Sequence, residues 1–461
     1  MKLEELRLRI RAAIGDSVLL TKSYFAGGSV RDLLLGLTDN DPQDADIAVE
    51  AENGGEELAR LLHERLGSSA PVVYNSFGTA SIVLEGLRLE FVHTRRESYR
   101  SLNRKPSVSL GTLSDDALRR DFGINALYMS INDGGILDPS ARGLKDLQDR
   151  VIRCVDHPER VFREDPLRLL RALRFSVRFG FEIEAATWEG VLNNAGWVKH
   201  LSWERIASEV NAMLTVPDPD KSVRAIRLLQ ESGLLAYILP ELNDLRGLTQ
   251  NRYHHLDAFE HSLEVLRHSA ADPVARWAAL LHDIGKASTL KLKADGTHSF
   301  IGHETVSATR ALGILRRFKL PKQQRELVSQ LIGGHMLFKN SGPEGMAMKD
   351  SSLLRIADRF QDALWQLLDL AEADNLAHAR EHRNPDQIPG LRRRFAALKT
   401  SLPKFSLTGR DLIQEFGISQ GIRIGKLLNL AKQAWYEDPG LGREQLLELT
   451  RRHLEQQEET N

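Results

Sequence analysis

The stretch that most constrains this chain is Phe25-Ala26-Gly27-Gly28-Ser29-Val30-Arg31-Asp32, followed closely by Asp44-Ala45-Asp46. Tyr24-Phe25-Ala26 reads as the end of a buried strand, and residues 30–35 read as a helix that stops at Gly36. A glycine pair between strand and helix lets the backbone approach a phosphate with no Cβ in the way, and its N–H groups suit an anion. In Asp44-Ala45-Asp46-Ile47-Ala48-Val49 the carboxylates stand two apart, so on a strand they share a face. Two carboxylates that close repel unless a cation lies between them, and hard oxygen ligands suit Mg2+. A phosphate cradle beside a two-carboxylate Mg2+ site is an arrangement for nucleotidyl transfer. Either half alone also has a bland reading, as a turn or as a solvated strand end. The order of glycine pair, helix and carboxylate strand carries the information.

Around this stretch the first 150 residues mix strands and helices, which predicts a small α/β head. Leu3, Leu6, Ile10 and Ile14 have helical spacing, and residues 56–66 read as a further helix. Short strands are expected at residues 72–74, 80–84 and 87–92, with a tight turn at Glu85-Gly86. Leu87, Leu89 and Phe91 alternate with Arg88, Glu90 and Val92. Glu90 therefore reads either as a third metal-facing carboxylate or as a polar residue on an outward face. Residues 94–112 hold Arg95, Arg96, Tyr99, Arg100, Arg104, Lys105 and Pro106 without apolar period, which predicts a loop, mobile near nucleic acid or simply solvated. From about residue 151 onward strands are expected to disappear. Helix breaks are expected at Pro217 and Pro219, near Pro240, around Ser341-Gly342-Pro343 and over residues 384–390.

Two further motifs follow the loop. In Arg119-Arg120-Asp121-Phe122-Gly123-Ile124-Asn125-Ala126, Arg120 can reach a phosphate, while Asp121 and Asn125, four apart, share a face if the segment is helical. In Arg163-Glu164-Asp165-Pro166-Leu167-Arg168-Leu169-Leu170-Arg171-Ala172-Leu173-Arg174-Phe175, Asp165-Pro166 is a good helix start. Leu167, Leu170 and Leu173 are expected as an apolar ridge, with Arg168, Arg171 and Arg174 as a basic ridge beside it. Asp165 and Arg168, three apart, can meet one planar ligand, or they simply form an intrahelix ion pair. The basic residues from Arg150 to Arg178 are all arginines, which suit bidentate phosphate and base-edge contacts.

Taken in order, these motifs resemble the DNA polymerase β-like nucleotidyltransferases. Gly-Gly-x-Val-Arg-Asp narrows the resemblance to the class II (bacterial-type) tRNA nucleotidyltransferase and poly(A) polymerase family. The resemblance implies an α/β nucleotidyltransferase (DNA polymerase β-like) head followed by an all-α neck, HD domain and tail. It also implies that Asp44 and Asp46, with Glu90, are catalytic and hold Mg2+. Gly27, Gly28, Arg31, Arg120 and Asp121 would bind the nucleotide. Asp165 and Arg168 would form a protein template that reads CTP and ATP, with Arg171 and Arg174 on the ribose or triphosphate. The family usually has threonine where this chain has Gly123, which puts that hydroxyl's contribution in doubt and is expected to soften the local backbone.

A second constellation comprises His254-His255-Leu256-Asp257-Ala258-Phe259-Glu260-His261 and Leu281-His282-Asp283-Ile284-Gly285-Lys286. The apolar residues 277–281 deliver His282 and Asp283 to a helix end, closed by Gly285. Adjacent helical residues diverge by about 100°, so both reach one metal only near that end. The pattern resembles an HD-domain metal site. That implies His261, His282, Asp283 and Asp374 as ligands of a transition metal (Mn2+, Fe2+, Co2+ or Ni2+), with His303 and His335 as additional ligands of a second ion. Isolated helical histidines are also common as structural residues. In the tail, Thr408-Gly409-Arg410-Asp411-Leu412 and residues 417–428 resemble the C-terminal segment of HD-bearing members, with Arg423 and Lys426 expected near tRNA.

With 461 residues the chain is too long for one ordinary core, and 42% hydrophobic with 27% charged residues is globular rather than disordered. We expect a head at residues 1–150, a neck at 151–245, an HD domain at 246–385 and a helical tail at 386–461. Cys154 is the single cysteine, so no intrachain disulfide forms. The start Met1-Lys2-Leu3-Glu4-Glu5 lacks a signal peptide's apolar core, and no run suits a bilayer, so a cytoplasmic protein with no membrane contact is expected. The net charge of −1 argues against a generic nucleic-acid coat and leaves local patches to decide. The expected partners are the tRNA 3′ end, CTP and ATP, with no obligate protein partner. The alternatives are a bacterial poly(A) polymerase, whose basic C-terminus the acidic tail residues 455–459 do not match, or a chain with a spent head that acts mainly as an HD-type phosphohydrolase.

Overall fold

In this computed structural model, residues 2–37, 44–74, 79–98, 107–249, 256–294, 296–401 and 405–459 are described. His254 and His255, and Tyr99, Arg100, Arg104, Lys105 and Pro106 of the predicted loop, lie outside the described residues. The chain divides into two compact units: residues 1–216 with 224–238, and residues 217–223 with 239–461.

The first unit opens with helix α1 (Leu3–Ile14), whose Leu3, Leu6, Ile10 and Ile14 are all buried, as their spacing predicts. Next come strand β1 (Ser23–Ala26), helix α2 (Gly28–Leu34), strand β2 (Asp44–Val49) and helix α3 (Gly54–Leu66). Strands β3 (Val72–Tyr74), β4 (Thr79–Leu84) and β5 (Leu87–His93) follow. The β4–β5 turn places both Glu85 and Gly86 at positive φ (50° and 84°), the geometry of a tight two-residue hairpin. The predicted loop begins and ends as an antiparallel ribbon of β6 (Arg95–Ser98) and β7 (Ser107–Leu110), a correction to its reading as structureless. Helix α4 (Leu113–Leu118) and strands β8 (Tyr128–Ser130) and β9 (Ile136–Leu137) complete the head.

Seven strands form one sheet in the order β3-β4-β5-β2-β1-β8-β9. Only β2 and β5 run parallel within it, and their register sets Asp44 opposite Arg88 and Asp46 opposite Glu90. On one face Ala45, Ile47, Leu89 and Phe91 are buried, beside Leu58, Ala59 and Leu62 of α3. On the other face Glu90, Asp46, Ala26 and Tyr128 form a row across four neighbouring strands. Alternation on β2 therefore separates a core face from a chemical face.

Beyond residue 151 the chain is mainly helical, although Val151–Ile152 pairs in parallel with Glu182–Ile183, and Lys291–Leu292 pairs with His298–Ser299. The expectation of no further strands is corrected by these short pairs. Helix Leu167–Phe179 buries Leu169, Leu170, Ala172, Leu173, Phe175 and Val177. Leu167, expected in the apolar ridge, instead lines an open cleft. In the second unit, helices Gly409–Phe416, Ile422–Glu437 and Arg443–Glu459 surround a core that includes Leu412, Leu427, Trp435 and Leu446, together with Leu354 of helix Asp350–Phe360. Among the described residues no helix is long and apolar enough to cross a membrane.

Candidate functional site

A cleft of about 710 Å3 opens in the first unit, lined by Gly27, Gly28, Arg31, Asp44, Asp46, Arg120, Asp121, Asp165, Arg168, Arg171 and Arg174. Twelve nucleotide-site residues were expected in this unit, and of these only Glu90 is not in its lining. Glu90 nevertheless sits beside Asp46 on the same sheet face. Asp46 opens to the cleft, yet its carboxyl is held above the usual carboxylate range. The protein walls that desolvate it are the main cause; Glu90 and Asp44 push the same way, and Arg120 opposes. Hard oxygen donors set close together on one sheet face are the ligands that a divalent cation takes, so this donor set fits one.

Gly27 has φ 68°, ψ −123°, and a Cβ there would lie 2.6 Å from Arg120 Nη1. Its N–H donates to the Leu127 carbonyl at 3.1 Å, so what Gly27 gives the cleft is room. Arg120 is fixed from behind: its Nε donates to the Tyr128 hydroxyl at 3.0 Å, and its guanidinium pairs with Asp116. Burial works against the Arg120 charge, but Tyr128, Asp116 and Asp46 outweigh it and hold its pKa above the ordinary value. The buried Asp116 stays ionised because Arg120 and Arg119 overcome its desolvation.

Asp121 and Asn125 do meet, with Asn125 Nδ2 donating to Asp121 Oδ1 at 2.9 Å, but across a 3-10 turn at Gly123–Asn125 and not along an α-helix. Arg31 donates to Asn125 Oδ1 and pairs with Asp32 at 2.7 Å. Arg171 Nε donates to Asp121 Oδ2 at 2.7 Å, and Arg174 pairs with Glu209. Burial would raise the Asp121 carboxyl, but Arg171 and Asn125 pull it below the usual range. A Cβ on Gly123 would stand 2.5 Å from Asp146 Oδ2, so glycine here permits a close approach to a buried carboxylate.

Asp165 caps the helix, accepting from the Leu167 N–H at 3.1 Å, while its Oδ2 accepts from Arg205 Nη2 at 2.7 Å. Arg168 donates to the Val161 carbonyl at 3.0 Å, to Glu164 at 3.2 Å and to the Arg119 carbonyl at 2.5 Å. Asp165 and Arg168 thus line one cleft but do not pair with each other among these contacts. The sequence did not single out Asp116, Tyr128 or Arg205: Arg205 meets Asp165 from 40 residues away, whereas Asp116 pairs with Arg119 and Arg120 three and four residues on, a spacing that was available to read. Alternation along β8 was the available signal for Tyr128.

The second unit gathers the other six expected ligands. His261 lies in the first turn of helix Ala258–His268, and His282 and Asp283 follow helix Pro273–Leu281. His303 starts helix His303–Arg317, His335 follows helix Lys322–Gly334, and Asp374 comes from helix Leu364–Leu376. The donor atoms of His261, His282 and Asp283 lie within 4.8 Å of one another, as do those of Asp283, His303 and His335. Asp283 thus belongs to both trios. Asp374 Oδ1 is 2.9 Å from His261 Nε2.

The Nδ1 atoms of His282, His303 and His335 lie 2.8, 2.7 and 2.7 Å from the carbonyls of Ala279, Phe300 and Ile332. A carbonyl only accepts, so each Nδ1 carries a proton and each Nε2 is the ring nitrogen left facing inward, the atom that a metal would take. His282 Nε2 is buried 3.1 Å from Asp283 Oδ2 without an aligned hydrogen bond. Burial, aided by the His282 charge, lowers the His335 pKa to about 3. Asp283 stays far below the usual carboxylate range because His282 and Lys286 overcome its desolvation. This buried nitrogen and carboxylate set fits a transition metal. Gly285 acts by close approach, since a Cβ would meet the His303 carbonyl at 2.4 Å.

Comparison with known proteins gives matches in both units. Residues 23–153 match the poly A polymerase head domain, residues 180–245 the probable RNA and SrmB-binding site of polymerase A, and residues 258–363 the HD domain. An A-adding tRNA nucleotidyltransferase of Deinococcus radiodurans is 35% identical over 340 residues, 70% of this chain and 75% of that one. A CC-adding tRNA nucleotidyltransferase of Thermus thermophilus is 32% identical over 430 residues, 90% of each chain. The structure of the Bacillus stearothermophilus CCA-adding enzyme in complex with CTP is similar over 100% of both chains, with a TM-score of 0.68 at 25% identity. Sheet, cleft and sequence relatives agree: the chain belongs to the tRNA nucleotidyltransferase family, with a poly(A) polymerase-type head and an HD domain.

Proposed function

We propose that the cleft of the first unit builds or repairs the 3′-terminal CCA of tRNA, or its terminal A, from CTP and ATP. The observation that carries this is the row of Asp46 and Glu90 on one sheet face, with Asp44 beside it, opposite an arginine-lined wall. Asp44, Asp46 and Glu90 would hold Mg2+, which when bound offsets charge on the triphosphate and the attacking hydroxyl. The tRNA 3′-hydroxyl attacks the α-phosphate and pyrophosphate leaves. Arg120, braced by Asp116 and Tyr128, and Arg31, Arg171 and Arg174 supply fixed positive charge along the triphosphate. Gly27 and Gly28 leave space for it.

Asp165 and Arg168 present an acceptor and donors to the base edge. The amino groups of cytosine and adenine need the acceptor, and their ring nitrogens need the donor; guanine and uracil present the opposite pattern. The relatives' names differ in how far along CCA they go, so identity does not choose among the three activities. Incubation with tRNAs ending in the discriminator base, in C or in CC, with each labelled nucleotide, decides it. No incorporation on any of the three ends would sink the proposal.

A second reading concerns the HD centre. The inward-facing Nε2 atoms favour a phosphohydrolase over a purely structural tRNA-binding arm. His261, His282, Asp283 and Asp374, with His303 and His335, would hold one or two ions such as Mn2+, Fe2+, Co2+ or Ni2+, supplying Lewis acidity toward water and phosphate. The fitting substrates are a 2′,3′-cyclic or terminal phosphate that blocks a damaged tRNA end. Metal analysis with hydrolysis assays across those ions tests it.

A further inference from the structure

Four of the cleft's guanidiniums converge on two aromatic rings. Phe175 and Phe179, one turn apart on helix Leu167–Phe179, stack with ring centroids 5.9 Å apart and planes 9° from parallel. The guanidinium carbons of Arg174, Arg171 and Arg31 lie 4.4, 5.1 and 5.1 Å from the Phe175 centroid. Arg31 is also 4.7 Å from the centroid of Phe179, and Arg178 is 5.0 Å from it. Phe122 meets Phe175 edge-on at 5.9 Å and fixes its orientation from the core side. Arg171, Arg174 and Arg178 come from the same helix as the rings, whereas Arg31 comes from α2, beyond the glycine pair. The stack therefore ties two separate walls of the cleft together.

We infer that the Phe175–Phe179 stack is a positioning device that sets the spacing of the arginines gripping the nucleotide's triphosphate. Like charges brought this close repel, and something must hold them without cancelling them. Carboxylates do part of the holding: Asp32 pairs with Arg31 and Arg178, Asp121 with Arg171, and Glu209 with Arg174. Each carboxylate, however, removes a positive charge that a triphosphate needs. An aromatic face attracts a guanidinium through its quadrupole and carries no net charge. It orders the arginines and leaves their field intact for the anion. An aliphatic side chain of similar volume would fill the space and supply no such attraction. Among the described residues the ring and guanidinium partners of the stack do not include Asp165 or Arg168, so its effect belongs to the triphosphate and is common to CTP and ATP. This inference rests on the reading of the cleft as a nucleotide site.

The test is steady-state addition to tRNA by the full chain carrying Phe175→Leu. The KM for CTP and for ATP should rise together by about tenfold, the scale of two to three lost cation–π contacts, with kcat within about twofold of wild type. Discrimination against GTP and UTP should stay unchanged, and inhibition by inorganic pyrophosphate should weaken in step with KM. Phe175→Tyr, which keeps the ring face, should restore KM. If Phe175→Leu fails to fold, the less buried Phe179→Leu carries the test, with a smaller rise in both KM values. An active wild type with unchanged KM in the variant that folds would overturn this inference alone. A failure of Phe175→Tyr to restore KM, or a KM that rises for only one nucleotide, would overturn it too. If the wild-type chain adds no nucleotide, the reading of the cleft itself fails.

Discussion

At the scale of single residues, the carboxylates of β2 and the base-facing pair make separable predictions. Asp44→Ala or Asp46→Ala should lower nucleotide addition by about 100-fold or more, because metal stabilisation of transition-state charge is worth several kcal/mol. Circular dichroism and tRNA binding should stay near wild type, since both side chains are exposed and Ala45 and Ile47 hold the core. Addition within a few-fold of wild type by either variant would end the polymerase-type reading. Asp165→Ala and Arg168→Ala should instead raise GTP and UTP incorporation relative to CTP and ATP, by about 1–3 kcal/mol of lost discrimination per bidentate contact. Arg171→Ala should weaken all nucleotides alike. Incorporation ratios measured in mixed-nucleotide assays separate the two patterns.

Gly123 gives a prediction of a different kind. Asp146 Oδ2 is buried without a hydrogen-bond partner, while Asp146 Oδ1 accepts from Arg153 Nε at 3.0 Å. Burial is the largest influence on this carboxyl and raises its pKa. Gly123→Ala should destabilise the head, because its Cβ would press on that oxygen and donate nothing. Gly123→Thr should recover about 1 kcal/mol relative to alanine, because its hydroxyl can donate to the unsatisfied oxygen. Thermal unfolding of the three proteins checks the order, and alanine at least as stable as threonine would contradict it.

At the scale of elements, the helix Gly409–Phe416 shows how a local signal sets a boundary. Thr408 accepts from the Asp411 N–H at 3.3 Å, and Asp411 accepts from the Thr408 N–H at 2.7 Å, a reciprocal capping box. Those bonds, with Arg443, lower the Asp411 pKa to about 2. A depressed carboxylate pKa contributes stability that is present above its unfolded value near 4 and is lost as pH falls toward 2. The stability gap between wild type and Asp411→Asn should therefore be full at pH 6 and shrink on acidification below about pH 4. Urea titrations at pH 6, 4 and 3 measure it, and a gap that widens in acid would refute the assignment.

At the scale of the whole molecule, each unit holds one of the two constellations. Asp283→Ala should abolish phosphate-ester hydrolysis and leave nucleotide addition within about twofold, while Asp44→Ala should do the reverse, because the two sets share no residue and belong to separate compact units, and independent sites act additively. Parallel assays of both activities, with metal analysis of each purified variant, test the separation. Loss of both activities in one folded variant would show that the units depend on each other.

The amino-acid sequence by itself determined the order of the parts: the glycine pair, the Asp-x-Asp strand, the acid-capped arginine helix and the His-Asp pair at a helix end. These were legible because each rests on short-range geometry, such as the two-residue strand repeat that put Asp44 and Asp46 on one face. Only the tertiary structure decided what depends on residues far apart in sequence. The parallel register of β2 with β5 placed Glu90 beside Asp46, where alternation alone left two readings open. Packing from other elements gave Asp165 its partner Arg205, whereas Asp116 and Tyr128, which brace Arg120, lie only four and eight residues from it in sequence. Packing also turned Leu167 into the cleft and six dispersed side chains into one buried centre. Periodicity encodes which face a side chain takes, but which side chain it meets there is set by chain closure over tens of residues, which no local pattern records.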